Sequence, residues 1–231
     1  MGSRRTAAEV EQEHLKVLGP ELGPLYHRLH NECAWLQITW AQFVELFGTT
    51  PERVELLNEA AALFFRVVQD ILWESTLLQL TRLTDPAKSA GKETLTVKRL
   101  PQLLKDGQAG AEVDERVKRA CEATEFARDW RNRFIAHRDL ALSLGDGASP
   151  LEPASHEKVK RAITAVCKVI ECVHLAYFNC ELHLDLTVTE ASGAESLLYV
   201  IQDGLDADKA RRKPQTLRSP GFPGIDPAPA M

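Results

Sequence analysis

The sequence predicts an all-α protein, a bundle of four or five helices. Three observations lead there. Apolar residues recur every three or four positions over long stretches, and helix start and stop residues bracket those stretches. The one alternating run, Leu182 to Val188, is short and has no obvious partner strand. Length and composition agree, since 231 residues of which 44% are hydrophobic and 26% charged suffice for one compact domain with a sizeable core.

The elements follow in order. Glu9 to Leu18 is a short helical stretch that Gly19-Pro20 and Gly23-Pro24 interrupt, so residues 1–24 are expected to form an N-terminal extension. The first strong helix runs from about Leu25 to Phe47, where Leu25, Leu29, Cys33, Leu36, Trp40, Val44 and Phe47 share a face and Gly48 closes it. Thr49, Thr50, Pro51 and Glu52 form a start signal for a second helix reaching Leu83. Asp85-Pro86 and Gly91 mark a loop, and Thr96 to Lys105 reads as a short helix bent by Pro101. A third long helix is expected from Ala111 to about Arg138. After an exposed connection, Ser155 caps a fourth whose residues Val159, Ile163, Val166, Ile170 and Val173 give a broad apolar face. A last helix spans Ala194 to about Ala210, which sets the folded domain at 25–210. The remainder, 211–231, carries five prolines and two glycines after Lys213 and reads as a disordered tail.

Composition excludes several function classes. A net charge of −5 and a pI of about 5.8 do not suit a general nucleic-acid coat, so any RNA contact must be local. No apolar run is long enough to span a bilayer, and the N-terminus lacks the apolar core of a signal peptide, which points to the cytosol. Cys33, Cys121, Cys167, Cys172 and Cys180 are odd in number and scattered without a Cys-x-x-Cys pair, so they read as free thiols. With no His-Glu-x-x-His pattern either, neither a metal nor any other cofactor is expected.

Chemistry concentrates in Arg131-Asn132-Arg133-Phe134-Ile135-Ala136-His137-Arg138-Asp139. From Arg128 to Asp139 four arginines face two aspartates, a local excess of +2 on an acidic chain. Histidine with arginine supplies a proton acceptor, a proton donor and positive charge beside a phosphate, the requirements for cutting RNA at its 2′-hydroxyl without metal. The candidate catalytic residues are Arg131, Asn132 and His137, with Arg128, Arg133 and Arg138 as substrate-binding arginines. Plainer readings stand beside these. His137 could be a surface histidine complementing a helix dipole, Asp139 a cap rather than a support for the imidazole, and Trp130 with Phe134 core rather than a stacking platform. On a regular helix His137 lies roughly 120° around from Arg131, so one rigid helix does not align the two.

Arg131, Asn132 and His137, with five residues between Arg and His, resemble the signature of the HEPN superfamily. With Trp35 to Trp40, Arg82-Leu83-Thr84-Asp85-Pro86, Leu95 to Leu100 and Ile135 to Asp139, the stretch from about Leu25 to Gly204 resembles the HEPN-like family of U-type bacterial abortive-infection proteins. The resemblance implies a HEPN-like bundle, a two-fold dimer whose motifs meet across the axis, and a metal-independent endoribonuclease in phage defence or as a toxin. His137 would then be general acid and base, Arg131 would hold the phosphate and Asn132 would orient it. RNA, a second copy of the chain and an antitoxin protein would be the partners. The alternative it leaves open is a non-catalytic HEPN-type module that binds nucleotide, RNA or protein.

Overall fold

The computed structural model describes residues 5–104, 109–145, 147–186 and 193–212, and these are overwhelmingly helical. Helix α1 (Ala7–Phe47) starts on a capping box in which Thr6 and Glu9 exchange hydrogen bonds. It is broken at Gly19, whose φ of 77° is open to glycine and reverses the chain. The two arms fold back on each other. A Cβ on Gly23 would lie 2.9 Å from the Leu15 Cα, so this second glycine is what lets the backbones touch.

The chain from Ala7 to Leu18, expected as an extension, therefore packs on the body: His14, Leu18 and Leu22 are buried, and the helix expected at Leu25 begins directly after Gly19. Inside this hairpin the Asn31 amide donates to His27 Nε2 (3.0 Å), which leaves the His27 Nδ1 proton for His14 Nδ1 at 3.1 Å.

Helix α2 (Pro51–Leu83) has Pro51 in its first turn, as expected, and departs from helical geometry at Ala61. Beyond it, Lys88–Ser89 (β1) pairs antiparallel with Lys92–Glu93 (β2) around Ala90 and Gly91, both at positive φ. Asp85-Pro86 and Gly91 mark this stretch as a loop in sequence, and the loop closes as a two-residue ladder. Pro101 does not bend a helix. It sits in the first turn of α3 (Leu100–Leu103), where its missing N–H costs no hydrogen bond.

The expected long third helix is instead divided. Helix α4 (Gly110–Ala123) ends at Thr124, α5 (Glu125–Trp130) follows, and Arg131–Ile135 winds as a π-helix. Thr124 explains the break, because its hydroxyl bonds back to the carbonyls of Ala120 and Cys121, each at 3.0 Å, a habit that bends helices. After α6 (Leu140–Leu144), helix α7 (His156–Phe178) starts on the expected Ser155 cap and buries Val159, Ile163, Val166, Ile170 and Val173 against α1 and α4. Within the alternating run, Leu184–Leu186 forms a 3-10 turn, and Thr187 and Val188 lie outside the described residues. Helix α8 (Ala194–Arg212) packs Ala194 and Leu198 against Leu46, Leu57 and Phe65. The expected tail lies outside the description beyond Arg212.

Among the described residues no helix is long and apolar enough to cross a membrane. All five cysteines are free; Cys33, Cys167 and Cys172 are buried, Cys121 is half-buried and Cys180 is exposed. Of the aromatic set on α1, Trp40 and Phe43 belong to the core, while Trp35 is 60% exposed.

Candidate functional site

The divided third helix determines where the motif points. Thr124 Oγ1 meets Thr84 Oγ1 at 2.9 Å in a buried contact, which pins the start of α5 to the end of α2. Asp85, directly after Thr84, presents its carboxylate to Arg128, one turn along α5 from Thr124. Arg128 Nη1 donates to Asp85 Oδ1 at 2.6 Å and Arg128 Nη2 to the Thr84 carbonyl at 3.1 Å. Arg131 Nη1 donates to both Asp85 oxygens at 2.8 Å, and Arg131 Nε to Asn132 Oδ1 at 3.1 Å. One carboxylate thus clasps two of the predicted arginines, and Glu125 sets a second carboxylate 3.8 Å from Arg128 Nε.

The backbone changes pitch at the same place. The Ala136 N–H reaches back five residues to the Arg131 carbonyl (2.8 Å), and the Asp139 N–H bonds the Arg133 carbonyl at 3.0 Å. Wide turns of this kind occur mostly as local features and often at functional sites. Helical winding ends at Ile135, so His137 stands beyond the helix, exposed, and no described residue hydrogen-bonds its ring. The chain has loosened before Asp139, which removes the constraint of a single rigid helix.

The other residues of the motif take different places. Arg133 is drawn to the loop before α7: it donates to the Ser149 carbonyl at 2.5 Å and pairs with Asp129 at 3.4 Å and Asp139 at 3.6 Å. Asp139 caps α6 by accepting from the Leu142 N–H (3.1 Å), and that bond, with Arg133 nearby, holds its carboxyl below the usual range. The Arg138 guanidinium lies over the Phe134 ring, 4.0 Å from its centroid. Trp130 packs partly on the core, T-shaped to Phe134, and its indole N–H donates to the Glu152 carbonyl at 2.8 Å. Arg128, Asn132 and Arg133, with Glu125, Asp129 and the loop from Ser149 to Pro153, line an open groove of about 640 Å³.

With this geometry in view, the family model HEPN_AbiU2, described as AbiU2, matches residues 19–196. The chain belongs to the AbiU2 family. No curated protein and no solved structure matches it. The AbiU2 match leaves out the first arm of α1 and most of α8, although both pack on the body.

The structure brings Arg128, Arg131 and Asn132 together; Arg133 lines the same groove as Arg128 and Asn132 but is held by Ser149, Asp129 and Asp139, and Arg138 lies over Phe134. Sequence reasoning missed Asp85 as the organiser. Arg82 to Pro86 reads locally as a helix end, and the only other signal was its place in the AbiU2-like pattern. Among the described residues, no group of three or more His, Cys, Asp or Glu side chains is placed to share a metal ion.

Proposed function

We propose that this AbiU2-family protein is a HEPN-type endoribonuclease that needs no metal, serving in phage defence or as the toxin of a toxin–antitoxin pair. One observation supports it above the rest: an exposed His137, unpartnered among the described residues, follows an arginine that Asp85 holds. In this reading a neutral His137 takes the proton of a ribose 2′-hydroxyl as that oxygen attacks the adjacent phosphorus. A protonated His137 gives a proton to the departing 5′-oxygen, leaving a 2′,3′-cyclic phosphate. Arg131 faces the charge that develops on the phosphoryl oxygens, and Asn132 orients the phosphate. Two proton-transfer groups imply two chains, so the active form is a two-fold dimer with both His137 rings in one groove.

A non-catalytic binding module is the second reading, and a specific contact favours it. Both oxygens of Asp85 already occupy Arg131, as expected of a structural arginine. Total RNA incubated with pure protein in EDTA separates the two. The ribonuclease reading expects cleavage that is abolished in His137→Ala and reduced about a hundredfold or more in Arg131→Ala, the scale of one lost charge-stabilising donor. A folded His137→Ala protein that still cuts RNA refutes the mechanism, and a monomer by light scattering that cuts RNA refutes the shared groove.

A further inference from the structure

Beside the motif lies an aromatic box that the proposed reaction does not use. His156, the first residue of α7, sets its ring 5.6 Å from Trp40, 5.3 Å from Phe43 and 6.1 Å from Trp73. Trp73 also meets Trp130 edge to face at 6.4 Å, and Trp130 directly precedes Arg131. The box is therefore one aromatic ring away from the arginine clasp. The loop between them is tied to the motif through Trp130 to Glu152 and Arg133 to Ser149, which fixes the position of one site against the other.

Phe43, Trp73, Ala154 and His156, with Arg66, Gln69 and Asp70 at the rim, line an open surface depression of about 330 Å³. That volume is at the small end for ligand sites and suits one planar ring system better than a whole cofactor. A purely apolar ligand would fill it badly, because it would cover the Gln69 amide and the Arg66–Asp70 pair without offering either a hydrogen bond. A nucleobase meets both halves of the site, with a π-face for the rings and donors and acceptors along its edge. Gln69 can both donate and accept, and Asp70 can accept from ring or exocyclic N–H groups. The Arg66–Asp70 ion pair across the rim is 71% and 54% exposed, so it is weak enough to open for a ligand.

We propose that this box is a nucleobase subsite. A base of single-stranded RNA stacks on Trp73 and His156, Gln69 and Asp70 read its edge, and a neighbouring phosphate of the same strand lies at Arg131. The strand connection rests on the ribonuclease reading; recognition of the base does not, since a free nucleotide offers the same face and edge.

The test uses the full chain carrying His137→Ala, so that RNA stays whole, with four homopolymeric RNA hexamers and the four nucleoside monophosphates as probes. Binding is read as Kd by fluorescence anisotropy or calorimetry, together with tryptophan quenching. Trp73→Leu should weaken binding about five- to 150-fold, the range for loss of one stacked base. Because Trp73 also packs on the core, Gln69→Ala and Asp70→Asn at the rim provide the second measurement, and they should change the order of preference among the four bases. Monophosphates that bind with the same sensitivity identify free nucleotides as a source; hexamers alone identify the strand. Unchanged affinity and unchanged base order in all three variants overturn the subsite. That result leaves cleavage by the native protein standing, whereas base-selective binding without any cleavage sinks the nuclease and leaves the subsite.

Discussion

Asp85→Asn is the substitution that tests the clasp most directly. The asparagine keeps the size of the side chain and one acceptor oxygen but removes the charge that two guanidiniums share. Asp85, Arg128 and Arg131 are 22%, 20% and 25% exposed, between a surface pair and a buried one. Surface pairs contribute up to about 1 kcal/mol, and breaking a fully buried pair costs roughly 3–5 kcal/mol, so a loss of about 2 kcal/mol is expected. For a chain of this length that lowers Tm by about 4–8 °C. Asp114→Asn, which breaks the exposed Lys118–Asp114 pair (2.8 Å), is the control and should shift Tm by less than half as much. The two variants also separate in RNA chemistry. Freed arginines raise the local positive charge, so Asp85→Asn should bind RNA at least as well as the native protein, yet cleave it at least about tenfold more slowly at saturation because Arg131 is no longer aimed. An unchanged Tm would show that the clasp stabilises nothing, and unchanged turnover would show that it does not position Arg131.

Three further expectations follow from the fold. Burial beside His30 and His27 lowers the His14 pKa from 6.5 to about 4; its neutral form therefore stabilises the protein above pH 6.5, and that stability, up to about 3 kcal/mol, is lost as pH falls towards 4. Tm measured against pH should fall less steeply over this window in His14→Phe, and parallel curves would remove His14 as a cause. Gly23→Ala places a methyl 2.9 Å from the Leu15 Cα and should destabilise the α1 hairpin by about 1–3 kcal/mol in chemical denaturation, whereas no loss would mean that the arms separate freely. Truncation after Arg212 should leave Tm unchanged, since the proline-rich remainder offers few large apolar residues to bury, and a fall of more than a few degrees would show that it packs on the body.

What the sequence made legible was local. Ser155 starts α7 because a serine oxygen caps an N–H three residues away, and Pro51 starts α2 because its ring suits the first turn; both signals lie within four residues of what they control. The burial of α7 was equally readable from its repeat. Periodicity names the face that is buried without naming its partner, so the back-folded arm of α1 was hidden: it depends on Gly19 and Gly23 acting together on residues eight and nine positions apart. The division of the third helix was hidden for the same reason. Thr124 looks neutral in a helical pattern until its hydroxyl meets Thr84, forty residues earlier.

That separation bears on how the motif should be understood. Arg131, Asn132 and His137 are contiguous, which suggests a self-contained device, but the geometry of the pair comes from elsewhere. Thr84 and Thr124 set the direction of α5, Asp85 holds Arg128 and Arg131, and the wide turn from Arg131 releases the chain before His137. Substitutions at Thr84 or Thr124 should therefore affect Arg131 without touching it. Thr124→Val keeps the shape, deletes the contact with Thr84 together with the back-bonds to the Ala120 and Cys121 carbonyls, and leaves the Thr84 oxygen its bond to the Leu80 carbonyl at 2.9 Å, so it tests the Thr124 hydroxyl as a whole. The stability cost should stay near 1 kcal/mol, the worth of a typical hydrogen bond. If α5 is aimed by this contact, turnover should fall by more than that loss of stability explains, with RNA affinity preserved. Equal turnover in Thr124→Val and native protein would mean that the clasp at Asp85 aligns α5 unaided.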